Sequence, residues 1–274
     1  MNPLFRALDW SATAFNHAPW WKQGCTVWEQ RMFSPTFERW LYLRLHRLGL
    51  MGRTERDFFQ MQIRPGTRVL DIGANLGLYS ILMGRRAGPT GRVIAFEPDP
   101  DLFAALQQNI RLNHADMVEV HNLALGSSPA TLTLHRSVLN SGDNHLGESE
   151  GSLFRRGVAV EVVCLDWFLP GLAVDLVKID VQGWELEVLR GMELTLKENA
   201  GVHVYFEFSP LGYVRAGSTY RELIGFLRGI GFRIFDPSAG TELDDGAIER
   251  LAASLGRKGY LNLLAARRPP EGRP

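Results

Sequence analysis

The sequence predicts a doubly wound α/β fold, a mostly parallel sheet with helices on both faces, and three observations carry that expectation. Apolar runs of strand length alternate with stretches of helical spacing along most of the chain. The first run, Arg68 to Ile72, opens through the glycine turn Gly73-Ala74-Asn75-Leu76-Gly77 into a helix. Four runs bring an acid to the strand end (Asp71, Glu97, Asp180 and Glu207), and in open α/β sheets ligands bind beyond the carboxyl ends of the strands. With 274 residues, 45% of them hydrophobic, the chain can bury one such domain plus an extension.

The extension comes first. Trp10, Trp20, Trp21, Trp28 and Trp40 are five of the seven tryptophans, and the composition changes near Arg64-Pro65-Gly66. A division into residues 1–60 and 61–274 follows. Within the first part, residues 36–50 interleave Phe37, Trp40, Leu41, Leu43, Leu45 and Leu48 with Arg39, Arg44 and Arg47, the spacing of an amphipathic helix. Such a helix caps or lids a pocket, or else touches a membrane surface or a partner.

Past the boundary the elements follow in order. Strand one (68–72) and helix one (76–86) flank the glycine turn; Gly73 and Gly77 permit backbone angles closed to other residues and let a ligand approach the main chain. Strand two (93–96) ends in Glu97-Pro98-Asp99, roughly 20 residues or slightly more beyond the turn, where a carboxylate can accept both ribose hydroxyls or cap the next helix. Helix two covers 100–113 and strand three 118–122. A meander follows, with strands at 131–134 and 158–163 around a polar loop over 136–157. Strand four (174–180) ends in Asp180, a helix spans 184–199, strand five (202–206) leads to Glu207, and a helix (219–229) and strands at 232–235 and 260–266 complete the sheet.

Taken together, Asp71-Ile72-Gly73-Ala74-Asn75-Leu76-Gly77, Glu97-Pro98-Asp99, Asn122-Leu123-Ala124-Leu125-Gly126, Leu165-Asp166, Lys178-Ile179-Asp180-Val181-Gln182-Gly183-Trp184-Glu185 and Phe206-Glu207 resemble the FkbM family of S-adenosylmethionine-dependent methyltransferases, over about residues 55–235. The resemblance implies a class I methyltransferase (Rossmann-like) sheet with an antiparallel last strand, and O-methylation of a hydroxyl on a sugar, glycan or other small natural product. It implies that Gly73, Ala74, Asn75 and Gly77 line the methionine end of S-adenosylmethionine and that Asp71 faces its ammonium. Glu97, with Pro98 and Asp99, would hold the ribose, while Leu123 and Ala124 would flank the adenine. Gln182 stands where many members have Glu.

The chemistry asks for a base near the acceptor hydroxyl, and Asp180 and His145 are the candidates, with Glu207 orienting the acceptor or the base. His145 reads equally as a surface loop histidine, Asp180 as a helix cap, and Lys178 as the partner of a neighbouring acid. Asp143, His145, Asp180 and Glu207 would also suit Mg²⁺, although no spacing requires a metal. Two other functions remain open: a nicotinamide-dependent oxidoreductase, disfavoured because the three-glycine pyrophosphate spacing is missing, and a non-catalytic scaffold on the same fold.

Thirty basic and thirty acidic residues cancel, so no overall field favours nucleic acid, and the expected partner is a small-molecule or glycan acceptor. Cys25 and Cys164 form no C-x-x-C pair, no apolar run approaches the ~20 residues of a membrane span, and no leader is evident; a cytoplasmic protein is expected.

Overall fold

The computed structural model describes residues 24–136, 145–146, 157–256 and 259–269. The side chains of Phe37, Glu38, Arg39, Leu41 and His145 lie outside the description, as do Trp10, Trp20, Trp21 and Asp143.

Seven strands form the central sheet: β3 (Arg68–Ile72), β4 (Arg92–Phe96), β5 (Val118–His121), β10 (Leu176–Ile179), β11 (His203–Phe208), β12 (Arg233–Phe235) and β13 (Leu261–Ala266). Their order is β12-β13-β11-β10-β3-β4-β5. All neighbours are parallel except β13, which runs antiparallel to both β11 and β12. This is the class I methyltransferase arrangement, with the reversed last strand. The chain starts in the middle at β3, builds outward to β5, and returns through β10 to build the other half, so the crevice at the carboxyl edge opens beside β3.

Helices cover both faces, which is why the inner strands read as nearly continuous apolar runs. On one face Leu70, Ile72, Phe96, Val177, Ile179, Val204 and Phe206 pack against α6 (Glu185–Arg190), α7 (Glu193–Glu198) and α9 (Tyr220–Gly229). Val69, Val93, Ala95, Leu176 and Tyr205 point the other way, toward α2 (Arg53–Gln62), α3 (Leu78–Ala87) and α4 (Pro100–Leu112). The stretch expected as one helix over 184–199 is two, α6 and α7, separated at Gly191-Met192. Gly191 is required there, since a Cβ would stand 1.9 Å from the Gly126 carbonyl oxygen.

The N-terminal part contains more than the expected helix. A short hairpin, β1 (Cys25–Val27) and β2 (Gln30–Met32), precedes α1 (Phe37–Arg47). Two asparagines of the α4 region hold its edge as a neighbouring strand would. The Asn113 amide donates to the Arg31 carbonyl (2.7 Å) and accepts from the Arg31 N–H (3.0 Å), and Asn109 does the same with Phe33 at 3.1 and 2.6 Å. Val27, Met32 and Leu43 are fully buried in one cluster with Phe59, Ile81 and Val93.

The meander is a second, four-stranded sheet in the order β6-β9-β7-β8, formed by β6 (Ala124–Leu125), β9 (Val158–Val163), β7 (Ala130–His135) and β8 (His145–Leu146). The polar stretch over 136–157 is therefore not loop throughout, because β8 pairs antiparallel with β7 through Leu134 and His135. Among the described residues, no helix is long and apolar enough to cross a membrane.

Candidate active site

The in-register parallel ladder builds the site. Phe96, Ile72, Ile179 and Phe206 are lateral neighbours, so the residues that follow them, Glu97, Gly73, Asp180 and Glu207, form a row along the carboxyl edge. Glu97, Gly73, Asp180 and Glu207 all line one pocket. Its first end is made by Gly73 to Leu76, Phe96, Glu97, Pro98 and Leu123 to Leu125. Its second end lies under α1 and α2, where Tyr42, His46, Glu55, Tyr79, Tyr205 and Asn262 contribute. Lys178, Asp180 and Gln182 occupy the middle, and Leu134 and Leu146 bring the small sheet to the wall.

At the first end the turn is held open by its own geometry. Gly73 has a φ of 82° and sits so close to β10 that a Cβ would lie 2.0 Å from the Asp180 carbonyl oxygen. Asn75, at φ 54°, is a non-glycine residue in the left-handed region. Its N–H donates to Glu97 Oε2 at 2.8 Å, while the Asp99 N–H donates to Glu97 Oε1 at 2.9 Å. These two bonds fix the plane of a carboxylate only 5% exposed at the pocket wall. Leu123 and Ala124, with Phe96 and Pro98, add apolar residues to the same lining.

Three of the residues expected to bind the cofactor do not line the pocket. Asp71 sits one position short of the strand end, on the face covered by α3, and does not line the pocket. It is fully buried, accepts from Ser80 Oγ at 2.6 Å, and pairs with Lys178 Nζ at 3.2 Å, its lateral neighbour on β10. Gly77 also stays away from the lining: it caps α3 at φ 83°, and a Cβ there would strike Leu106 of α4 at 2.4 Å. Asp99, 1% exposed, is the N-cap of α4, accepts from the Asp101 N–H at 2.9 Å, and pairs with Arg136 at 2.6 Å. Capping of α4 thus falls to Asp99, which leaves Glu97 at the wall.

Asp180 lines the pocket and caps no helix. The turn before α6 is held instead by Glu185, fully buried, whose carboxyl accepts from the N–H groups of Val181 (3.0 Å) and Gly183 (2.9 Å). Burial pushes the Glu185 pKa up to about 8, against the pull of those N–H donors. Gln182, at φ 57°, reaches back over the row, and its amide Nε2 donates to Asp180 Oδ1 at 3.0 Å and Glu207 Oε2 at 2.8 Å. Lys178 Nζ stands 3.8 Å from Asp180 Oδ2 and 5.6 Å from the Tyr79 ring centre. Burial opposes its charge, but Asp71 and Asp180 outweigh that cost and hold its pKa above the usual lysine value. Of the catalytic candidates, Asp180 and Glu207 come together; for His145 the backbone lies in β8 and the side chain is outside the description. Among the described residues, no three His, Cys, Asp or Glu side chains group as metal ligands.

One histidine that the sequence did not single out is here. His46 is 2% exposed and lines the pocket. Its Nδ1 lies 2.9 Å from the Tyr42 carbonyl oxygen, so Nδ1 carries the proton and Nε2 faces the Tyr79 hydroxyl at 3.5 Å. Burial lowers its pKa and keeps it neutral.

Residues 71–234 match the family model described as the methyltransferase FkbM domain, and that span contains the row of strand-end residues just described. The chain belongs to the FkbM methyltransferase family. It is 30% identical over 145 residues to Methyltransferase 1 of Beauveria bassiana, covering 46% of this chain and 58% of that protein. It is 29% identical over 148 residues to the hexuronic acid methyltransferase AglP of Haloferax volcanii, covering 53% and 59%. It is 29% identical over 239 residues to the 31-O-demethyl-FK506 methyltransferase FkbM of Streptomyces tacrolimicus, covering 73% and 87%. The matches thus span 58% and 59% of the length of the first two relatives. Beyond the family motifs, this FkbM-family site includes Tyr42, His46, Glu55 and Asn262, drawn from α1, α2 and β13. No spacing in the sequence announces them, because they reach the pocket only through packing.

Proposed function

We propose that this protein is an S-adenosylmethionine-dependent methyltransferase that transfers a methyl group to a hydroxyl of a sugar, glycan or other small natural product. The observation that carries this is the pocket row itself: an oriented carboxylate, Glu97, shares the lining with a glycine turn and apolar residues, with two more acids farther along. The residues fit the donor. Glu97 would take the two ribose hydroxyls, Leu123 and Ala124 would flank the adenine, and Gly73 to Asn75 would receive the amino-acid end. When bound, S-adenosylmethionine supplies a methyl group already activated on a sulfonium.

The protein's part is to place the acceptor oxygen and remove its proton. Asp180, in the middle of the pocket, accepts that proton. Gln182 holds Asp180 and Glu207 in fixed orientation, so Glu207 can position the acceptor while Asp180 acts as base. The α1–α2 segment closes the acceptor end through Tyr42, His46 and Glu55, the role of a lid. The name of one relative, a 31-O-demethyl-FK506 methyltransferase, supports an oxygen acceptor.

Calorimetry tests the donor. S-adenosylhomocysteine is expected to bind and to raise the melting temperature, while NAD does neither. Glu97→Ala is expected to weaken that binding at least tenfold while leaving the fold intact. Binding of NAD in preference to S-adenosylhomocysteine, or full affinity in the Glu97 variant, would refute the proposal.

A further inference from the structure

The buried ion pair beneath the pocket acts on the chemistry above it. Resting on the methyl-transfer function proposed above, we infer that Lys178 is a positioning residue: seated on Asp71, its ammonium keeps Asp180 charged and in place to take the proton of the acceptor hydroxyl. Lys178 is the lateral neighbour of Asp71 on β3 and stands two residues before Asp180, so one side chain reaches both acids. Its Nζ lies 3.2 Å from Asp71 Oδ1, 3.8 Å from Asp180 Oδ2 and 3.5 Å from the Gly73 carbonyl oxygen, which accepts from it. The Tyr79 ring, its centre 5.6 Å away, borders the ammonium from α3. With Gln182 donating to Asp180 Oδ1, both oxygens of that carboxylate have a partner.

Stability alone gives no reason for the pair. Asp71 is fully buried and the Lys178 side chain is 6% exposed, on a face where Val69, Ala95, Leu176 and Tyr205 pack. Taking two charges out of water costs much of what their attraction returns, and apolar residues of similar volume would hold the strands as well. The pair has its use where it meets the pocket. Asp180 lies among groups that oppose its charge: Glu207 of β11, to which the Gln182 amide also donates, and Glu185 of α6 once that group ionises. Tyr42 of α1, Tyr79 of α3 and Tyr205 of β11 also interact with Asp180, and burial keeps their hydroxyls neutral. The Lys178 ammonium favours the ionised carboxylate, and Asp71 from below helps that ammonium stay charged although it is buried. The proton passes from the acceptor oxygen to the Asp180 carboxylate, and Lys178 keeps all three of its own.

Carbon-13 NMR of the full chain, labelled at the aspartate carboxyl groups, tests this without donor or acceptor, the Asp180 signal being identified by its loss in Asp180→Asn. Lys178→Met is expected to make Asp180 take up its proton at a pH higher by about one unit or more. Lys178→Met combined with Asp71→Asn, which removes both charges of the pair, should give a similar rise and serves where the single variant does not fold. A role in packing alone would leave that titration where it is. An Asp180 signal that titrates at the wild-type pH or below in the folded variant overturns the inference. Failure of S-adenosylhomocysteine to bind the wild-type protein overturns the donor function instead, and the carboxyl titration still judges Lys178.

Discussion

Gln182 shows what a single side chain decides at this site. Its left-handed backbone aims one amide at two carboxylates from different strands, Asp180 after β10 and Glu207 in β11. Replacing it with glutamate would put a third acid against the other two, so the group of acids would retain a proton to higher pH. Gln182→Glu is therefore expected to move the acidic limb of the kcat/KM profile upward by about one pH unit or more. Gln182→Ala removes the tether without adding charge. It should lower the rate while leaving that limb in place, and identical profiles for the two variants would show that Gln182 does not position the base. The sequence brought this residue into view only as an amide where relatives carry an acid. Asp71 was legible as an acid near a strand end, but its partner was not. Alternation along β3 turns it onto the covered face, where Lys178 and Ser80 meet it.

At the scale of elements, the turn between β10 and α6 rests on a buried acid. The Glu185 pKa is raised from 4.5 to about 8 in the folded protein, so the group favours folding most below pH 4.5 and loses that contribution as pH rises through about 8. Unfolding followed by denaturant between pH 5 and 8 is expected to show this decline, at a limiting slope of about 1.4 kcal/mol per pH unit. Glu185→Gln cannot ionise and should flatten it; an unchanged slope in that variant would remove Glu185 as the cause. The strands were the most legible elements, because burial on both faces writes them as apolar runs. The hairpin β1–β2 was not, since three-residue strands carry too little alternation and its pairing depends on Asn109 and Asn113 from far along the chain. The break between α6 and α7 escaped for a similar reason: it is imposed by the Gly126 backbone, not by local spacing.

For the whole molecule, the cluster that joins Val27, Met32 and Leu43 to Phe59, Ile81 and Val93 ties the N-terminal segment to the sheet. The protein is expected to unfold in one cooperative transition. Asn113→Ala, which leaves the Arg31 N–H and carbonyl without that partner, should shift the transition by about 1–3 kcal/mol without splitting it. Two separated transitions would make residues 1–60 an independent unit. By itself the sequence determined the α/β class, the family and the strand-end residues Gly73, Glu97, Asp180 and Glu207, because apolar runs, glycine turns and strand-end acids are local features that the chain spells out in order. Only the tertiary structure decided which acids face the pocket and which are neutralised beneath it. It also decided that Tyr42, His46, Glu55 and Asn262 join the lining of the pocket. Those outcomes depend on which face of a strand is covered and on contacts between segments as distant as Glu55 and Asn262, and packing alone sets them.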